Sequence, residues 1–249
     1  MSGELEIINL SKMFGGLVAI NDVSLKLEPG SLSAVIGPNG AGKTTLFNMV
    51  TGHLRPSRGC ILLDGEELVG LRPRTIVKRG IVRGFQVASL FGTFTVEEAM
   101  AAAVHAHRDH LFDFIGTFPD PDARERARHV MSVTGLEAKG ARRCDTLSHG
   151  DRKLLDIALA LAIDPRVLLL DEPTAGMGRD ESRAMIERIH RLWEHERMTL
   201  VFIEHDMDIV FSIAQTVFVL RSGALLAKGS PAEVRAHPRV IEAYLGSAA

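Results

Sequence analysis

The sequence predicts an α/β fold, on three observations. An apolar run, Leu32 to Ile36, breaks at Gly37 and Pro38 and gives way to a helix-like segment, Lys43 to Val50. A second apolar run, Val167 to Leu170, ends on two acids, Asp171 and Glu172. Short continuous apolar runs bounded by turn residues suit strands buried on both faces of a parallel sheet. Between them, after Gln86, short strands stop and helical periodicity takes over, which predicts a helical lobe set into the sheet core.

The first run and its helix flank G-x-x-x-x-G-K-T, Gly37 to Thr44. Glycines let successive backbone N–H groups curl inward and face an anion, and the helix that follows points its positive end the same way. Lys43 supplies a point charge for β- and γ-phosphates and Thr44 a hydroxyl for Mg²⁺. Asn39, Gly40, Ala41, Gly42, Lys43, Thr44 and Thr45 are therefore the candidate phosphate contacts. A glycine-rich turn that only packs on its sheet needs neither the lysine nor the threonine, so the stretch predicts a nucleoside triphosphate site.

Composition sets outer bounds. The chain has 249 residues, 46% of them hydrophobic, enough for one α/β domain with a second lobe. A formal net charge of −2 argues against nucleic-acid binding by electrostatics alone. Two cysteines, Cys60 and Cys144, fit no ligand spacing and suggest a reducing compartment. No apolar run reaches the roughly 18–20 residues of a membrane span. The first residues lack the basic and apolar regions of a signal peptide. The expectation is a cytoplasmic protein that meets a membrane only through a partner.

In chain order, Leu5–Leu10 and Val18–Leu27 read as strands around turns at Phe14–Leu17 and Asn21–Asp22. Cys60–Gly65 reads as a short strand ending in a turn, and Ile76–Phe85 as a basic helical piece followed by a strand. These predict an antiparallel β subdomain beside the parallel core. Val96–His107, Asp122–Thr134 and Asp151–Ile163 read as helices, the first two separated by an aromatic loop. Asp180–Glu196 is amphipathic, Thr199–Ile203 is another buried strand, and a helix starts from Asp206. Val217–Leu220 and Ala224–Lys228 straddle a hairpin at Arg221-Ser222-Gly223. Pro231–Tyr244 closes as a helix with Ser230 as N-cap.

Carboxylates at the C-terminal end of a parallel strand face the crevice where ligands bind. Asp171 is placed to hold Mg²⁺, and Glu172 to act as general base on an attacking water. Leu147-Ser148-His149-Gly150-Asp151 then opens a helix. Serine and glycine there ordinarily mean a cap. In this company the stretch resembles the signature sequence of ATP-binding cassette proteins, L-S-G-G-Q. The resemblance spans nearly the whole chain with its motifs in order. It implies a P-loop NTPase (RecA-like) core with an antiparallel β subdomain and an α-helical subdomain. The expected division is one cassette, 1–249, with 1–86 and 164–249 as catalytic core and 87–163 as helical lobe.

By the same resemblance, Gln86 fits the Q-loop and contacts Mg²⁺, Thr174–Gly178 fits the D-loop, His205 the switch histidine, and Phe14 the aromatic that stacks on adenine. Phe14–Leu17, Thr44–Asn48, Ile203–Met207 and the ending Arg239–Gly246 look like the ATPase subunit of branched-chain amino acid importers. Urea and amide importers share that pattern. The resemblance further implies ATP and Mg²⁺, a second cassette subunit whose γ-phosphate meets Ser148, His149, Gly150 and Asp151, integral membrane permeases, and indirectly a periplasmic binding protein. Its place is the inner face of the cell membrane. Val87–Phe94 is the candidate dock for a permease helix, against ordinary packing of the lobe. The competing class is the ATPase of a lipid or lipopolysaccharide export system. Soluble cassettes of DNA repair or translation carry a long coiled-coil insertion or two copies, which this chain lacks.

Departures from the pattern are specific. His149 replaces the glycine that follows the signature serine, Asp151 replaces the glutamine, and Gly178 stands where a D-loop has aspartate or asparagine. An anion at Asp151 opposes a phosphate unless it turns away or is offset, with Arg152 or Lys153 as candidates. Such changes fit an asymmetric heterodimer. His105, His107 and His110 suggest a metal only weakly, a solvated helix end being the plainer reading. Phe112, Phe114 and Phe118 suit a small core under a loop. Arg72, Arg74, Lys78, Arg79 and Arg83 suit a solvated face better than a lipid contact.

Overall fold

The computed structural model describes residues 2–84, 91–107 and 121–245. Two sheets carry the fold. The first has the order β2-β1-β4-β5, from β1 (Leu5–Phe14), β2 (Leu17–Leu27), β4 (Arg58–Leu63) and β5 (Glu66–Glu67), all antiparallel. The second has the order β10-β9-β3-β8-β7-β6. It comprises β3 (Leu32–Ile36), β6 (Ile81–Gly84), β7 (Val167–Asp171), β8 (Thr199–Ile203), β9 (Thr216–Arg221) and β10 (Ala224–Gly229). Strands β9, β3, β8 and β7 run parallel, and β10 closes the edge as an antiparallel hairpin. All five residues of β3 and of β8 are buried, as continuous apolar runs require.

The chain divides into two compact units. The first holds residues 1–82, 166–173 and 196–249, with the short helix α2 (Pro73–Lys78) among them. Its core joins both sheets to α1 (Lys43–Val50): Leu5, Ile7 and Ile20 from the antiparallel sheet, Leu46 and Phe47 from the helix, and Val35, Leu169 and Phe218 from the parallel one. The second holds residues 83–165 and 174–195. In it α3 (Val96–His107), α4 (Pro121–Thr134) and α5 (His149–Ala162) pack on one another, and α6 (Arg179–Glu196) belongs to the same unit. This is the α/β fold with an antiparallel β subdomain and an α-helical subdomain that the sequence predicts.

Several elements differ from expectation. β2 runs unbroken from Leu17 to Leu27, where a turn at Asn21–Asp22 reads from sequence, and β4 starts at Arg58, two residues before Cys60. β1 continues to Phe14, because bulges between Ile7 and Met13 absorb the irregular alternation that reads as a strand end. α5 begins at His149, two residues before Asp151, with the Ser148 hydroxyl accepting from the Asp151 amide at 3.2 Å. The last helix is two: α8 (Pro231–Ala236) and α9 (Pro238–Leu245), broken where Pro238 forces His237 into an extended conformation. Ser230 caps α8 through a complete capping box with Glu233. Gln86, His110, Phe112, Phe114, Phe118 and the first half of Val87–Phe94, residues 87–90, lie outside the described residues. Among the described residues no group of His, Cys, Asp or Glu could hold a metal by itself. No described helix is long and apolar enough to cross a membrane.

Candidate functional site

In the first unit the Gly37–Thr45 turn folds where β3 meets α1. Gly42 precedes the helix at φ 101, with no side chain capping it, so the positive end of α1 opens onto a cleft. Two glycines are required by geometry. A Cβ on Gly42 would meet Ile20 at 2.5 Å and the Ala19 carbonyl at 2.8 Å, and one on Gly37 would meet the Leu220 carbonyl at 2.2 Å. Gly40 is the contrast: at φ 78, with nothing within 4 Å, it leaves the loop open on its cleft side.

The cleft encloses about 330 Å³. Asn39, Gly40, Ala41, Gly42, Lys43, Thr44 and Thr45 line it, together with Glu172 and His205. Leu17, Val18 and Ala19 form the rim next to Phe14, whose ring is exposed. Lys12 lies 5.0 Å from the centre of that ring, its ammonium tied to the Arg55 carbonyl at 2.8 Å.

Lys43 is buried and donates to the carbonyls of Gly37 at 2.7 Å and Pro38 at 3.2 Å. Burial pulls its ammonium below the ordinary lysine value, against the charges of Glu172 and Asp171, which favour the cation. Glu172 follows β7 with φ 49, a left-handed conformation rare for glutamate. Its amide donates to the Ile203 carbonyl at 3.0 Å, which ties the turn to β8. Its Oε1 lies 2.6 Å from Nε2 of His205. Asp206 caps α7 (Met207–Ile213) just beyond and so fixes where His205 leaves β8.

The site also takes two supports that motif reading did not single out. The amide of Gly37 donates to the phenolic oxygen of Tyr244 on α9, and burial pushes that phenol up to about 12. From the β9–β10 hairpin, Gly223 donates its amide to the Ala41 carbonyl at 3.1 Å and accepts from the Asn21 amide at 2.8 Å. The sequence places Gly223 in a hairpin and Tyr244 in the closing segment, but only the three-dimensional arrangement shows that both touch the phosphate loop.

The second unit carries the Ser148–Asp151 stretch at the N-terminus of α5. His149 reaches the Ala175 carbonyl at 3.3 Å, in the Thr174–Gly178 loop. Of the two candidates named from sequence, Arg152 is engaged elsewhere and does not offset Asp151. The acid forms a salt bridge with Lys139, while Arg152 donates to the Leu147 and Asp145 carbonyls at 3.1 and 2.7 Å. Burial alone raises the Asp151 carboxyl; the hydrogen bonds from Lys139 and Ser148, with the charge of Arg188, hold it below the usual carboxylate range.

Whether these residues suit a magnesium nucleotide is a question of donors. The loop offers backbone N–H groups and a cation to phosphate, and Thr44 and Asp171 offer hard oxygens to a small divalent ion, so the set fits. A family model described as ABC transporter matches residues 20–175. The chain belongs to the ATP-binding cassette transporter family. A second model, described as Branched-chain amino acid ATP-binding cassette transporter, matches residues 224–249. The chain is 41% identical to the high-affinity branched-chain amino acid transport ATP-binding protein BraF of Pseudomonas aeruginosa, over 98% of both chains. It is 39% identical to LivG of Escherichia coli, which bears the same description, again over 98% of both. Two solved structures share the fold. A nucleotide-free ATP-binding cassette superposes with TM-score 0.84 at 28% identity, covering 97% of this chain and 98% of that one. An ADP conformation of a cassette superposes with TM-score 0.87 at 27% identity, covering 99% and 100%. The cassette described here is thus an ATPase that binds adenine nucleotide.

Proposed function

We propose that this cassette energises an importer of branched-chain amino acids. The observation that carries the reading is likeness along nearly the whole chain to BraF and LivG, reinforced by the separate match of residues 224–249. The chain acts as one cassette, pairs head to tail with a second, and sits against permease subunits on the inner face of the membrane. A periplasmic binding protein delivers the amino acid to those permeases.

Each side chain then has a task. Backbone amides of Asn39–Thr45 and the Lys43 ammonium bind the phosphates, and Phe14 stacks on the base. To do so, Lys43 exchanges its carbonyl partners, Gly37 and Pro38, for phosphate oxygens. Thr44 and Asp171, with Gln86, would hold Mg²⁺, which would neutralise phosphate charge. Glu172 accepts the proton of the attacking water, and His205 fixes the carboxylate from Oε1 so that its other oxygen faces that water. Ser148 and the Gly150 amide, at the positive end of α5, close on the γ-phosphate of the partner's nucleotide. Nucleotide therefore favours the closed pair by its differential affinity, and hydrolysis withdraws that preference.

Reconstitution with the permeases and binding protein tests the reading. ATP turnover by the complex should rise when the binding protein carries leucine, isoleucine or valine. Stimulation by urea, or by none of the three amino acids, would overturn it.

A further inference from the structure

The tip of α5 holds a residue poorly suited to its neighbourhood. Asp151 lies in the first turn, where a carboxylate favours the helix dipole but would oppose an incoming polyphosphate. Half-turned out of solvent, it is met by Lys139 from the short turn Glu137–Lys139. Arg188, on α6, adds positive charge, and Ser148 supplies a hydroxyl. Arg152 is turned back onto two carbonyls and does not reach the acid.

We propose that Lys139 is a positioning residue of this ATPase: its salt bridge neutralises Asp151, so that Ser148 and the Gly150 amide can approach the anionic phosphates of the partner subunit's nucleotide. The inference rests on the reading that the α5 tip acts across a cassette pair. It adds to that reading a residue outside every motif, with a charge that matters only when a second nucleotide comes near. The two partners are twelve residues apart and belong to one unit, so the pair is complete before any partner arrives.

The test uses four variants of the full chain: Lys139→Met, Lys139→Arg, Lys139→Met with Asp151→Gln, and Ser148→Arg. Lys139→Met is expected to lower steady-state turnover about tenfold, the effect of one unscreened charge near a polyphosphate at intermediate dielectric. In the Glu172→Gln background it should also raise the protein concentration needed for ATP-driven pairing. ADP binding by the single chain and thermal stability should hold. Lys139→Arg should keep turnover, and adding Asp151→Gln to Lys139→Met should recover most of the loss. Unchanged turnover in Lys139→Met, no recovery in the double variant, or a loss that follows thermal stability and ADP binding would each overturn the inference. Ser148→Arg separates the levels. If it abolishes ATP-driven pairing while Lys139→Met does not weaken it, only the inference falls; if pairing survives Ser148→Arg, the underlying reading falls and takes the inference with it.

Discussion

At the scale of single residues, the site turns on three side chains: Lys43, Glu172 and His205. The lysine is buried against carbonyl oxygens, and two carboxylates sustain its charge. Glu172 stands in a left-handed conformation that a glutamate adopts only where its surroundings compel it, here the bond to Ile203 and the contact with His205. If the carboxylate is the base, Glu172→Gln should bind ATP with near-native affinity and hydrolyse it slower by a factor of roughly 10²–10⁴ in single-turnover assays. Turnover at the native rate would remove Glu172 from that role. His205→Ala should lower the rate by less, since it positions the carboxylate and does not take the proton. The phosphate loop and both acids are legible in sequence because each is a local pattern whose chemistry needs consecutive residues. The φ of Glu172 is not legible, since it depends on where a neighbouring strand ends. Lys139 is invisible for a similar reason: a lysine in a surface turn has no motif, and its partner twelve residues on is fixed only by how the turn meets α5.

At the scale of elements, the phosphate loop is held from behind by the last third of the chain. The β9–β10 hairpin binds Ala41 through Gly223, and α9 binds Gly37 through Tyr244. A Cβ on Gly223 would meet the Ala19 carbonyl at 2.6 Å, and the residue sits at φ 79, so Gly223→Ala should weaken ATP binding although it lies outside the cleft. Titration against a fluorescent ATP analogue measures this, with Gly65→Ala as control, a position where a Cβ meets nothing within 4 Å but φ is also positive. The Tyr244 phenol gives a pH test. Its folded value, about 12, lies above the ordinary 10.0, so the folded state holds the proton more tightly. Its contribution to stability is therefore complete below pH 10 and lost as pH rises from 10.0 toward 12. Tyr244→Phe should remove that alkaline loss, and denaturant melts of both proteins across this range would check it. The sequence marks a closing helix here but not its break, because Pro238 acts on His237 through sterics that a hydrophobic pattern does not record.

At the scale of the whole molecule, the phosphate loop and the α5 tip belong to different compact units. The first unit has phosphate donors, base and histidine on one cleft; the second presents a capped helix end with a neutralised acid. The positive end of a helix is half an anion site. If its other half is the loop of a second cassette, ATP should bring two chains together and ADP should not. Glu172→Gln with Mg-ATP should then sediment at twice the monomer mass of 27.1 kDa, and the same chain with ADP at the monomer mass. Ser148→Arg in that background places a bulky cation at the tip and should abolish pairing without changing ATP binding to the single chain. Because the signature and the Thr174–Gly178 loop depart from the family pattern, a chain that binds ATP yet stays monomeric under all these conditions would point to a different cassette subunit as its mate. Mixing with that subunit should then restore pairing, and Lys139→Met should weaken the mixed pair.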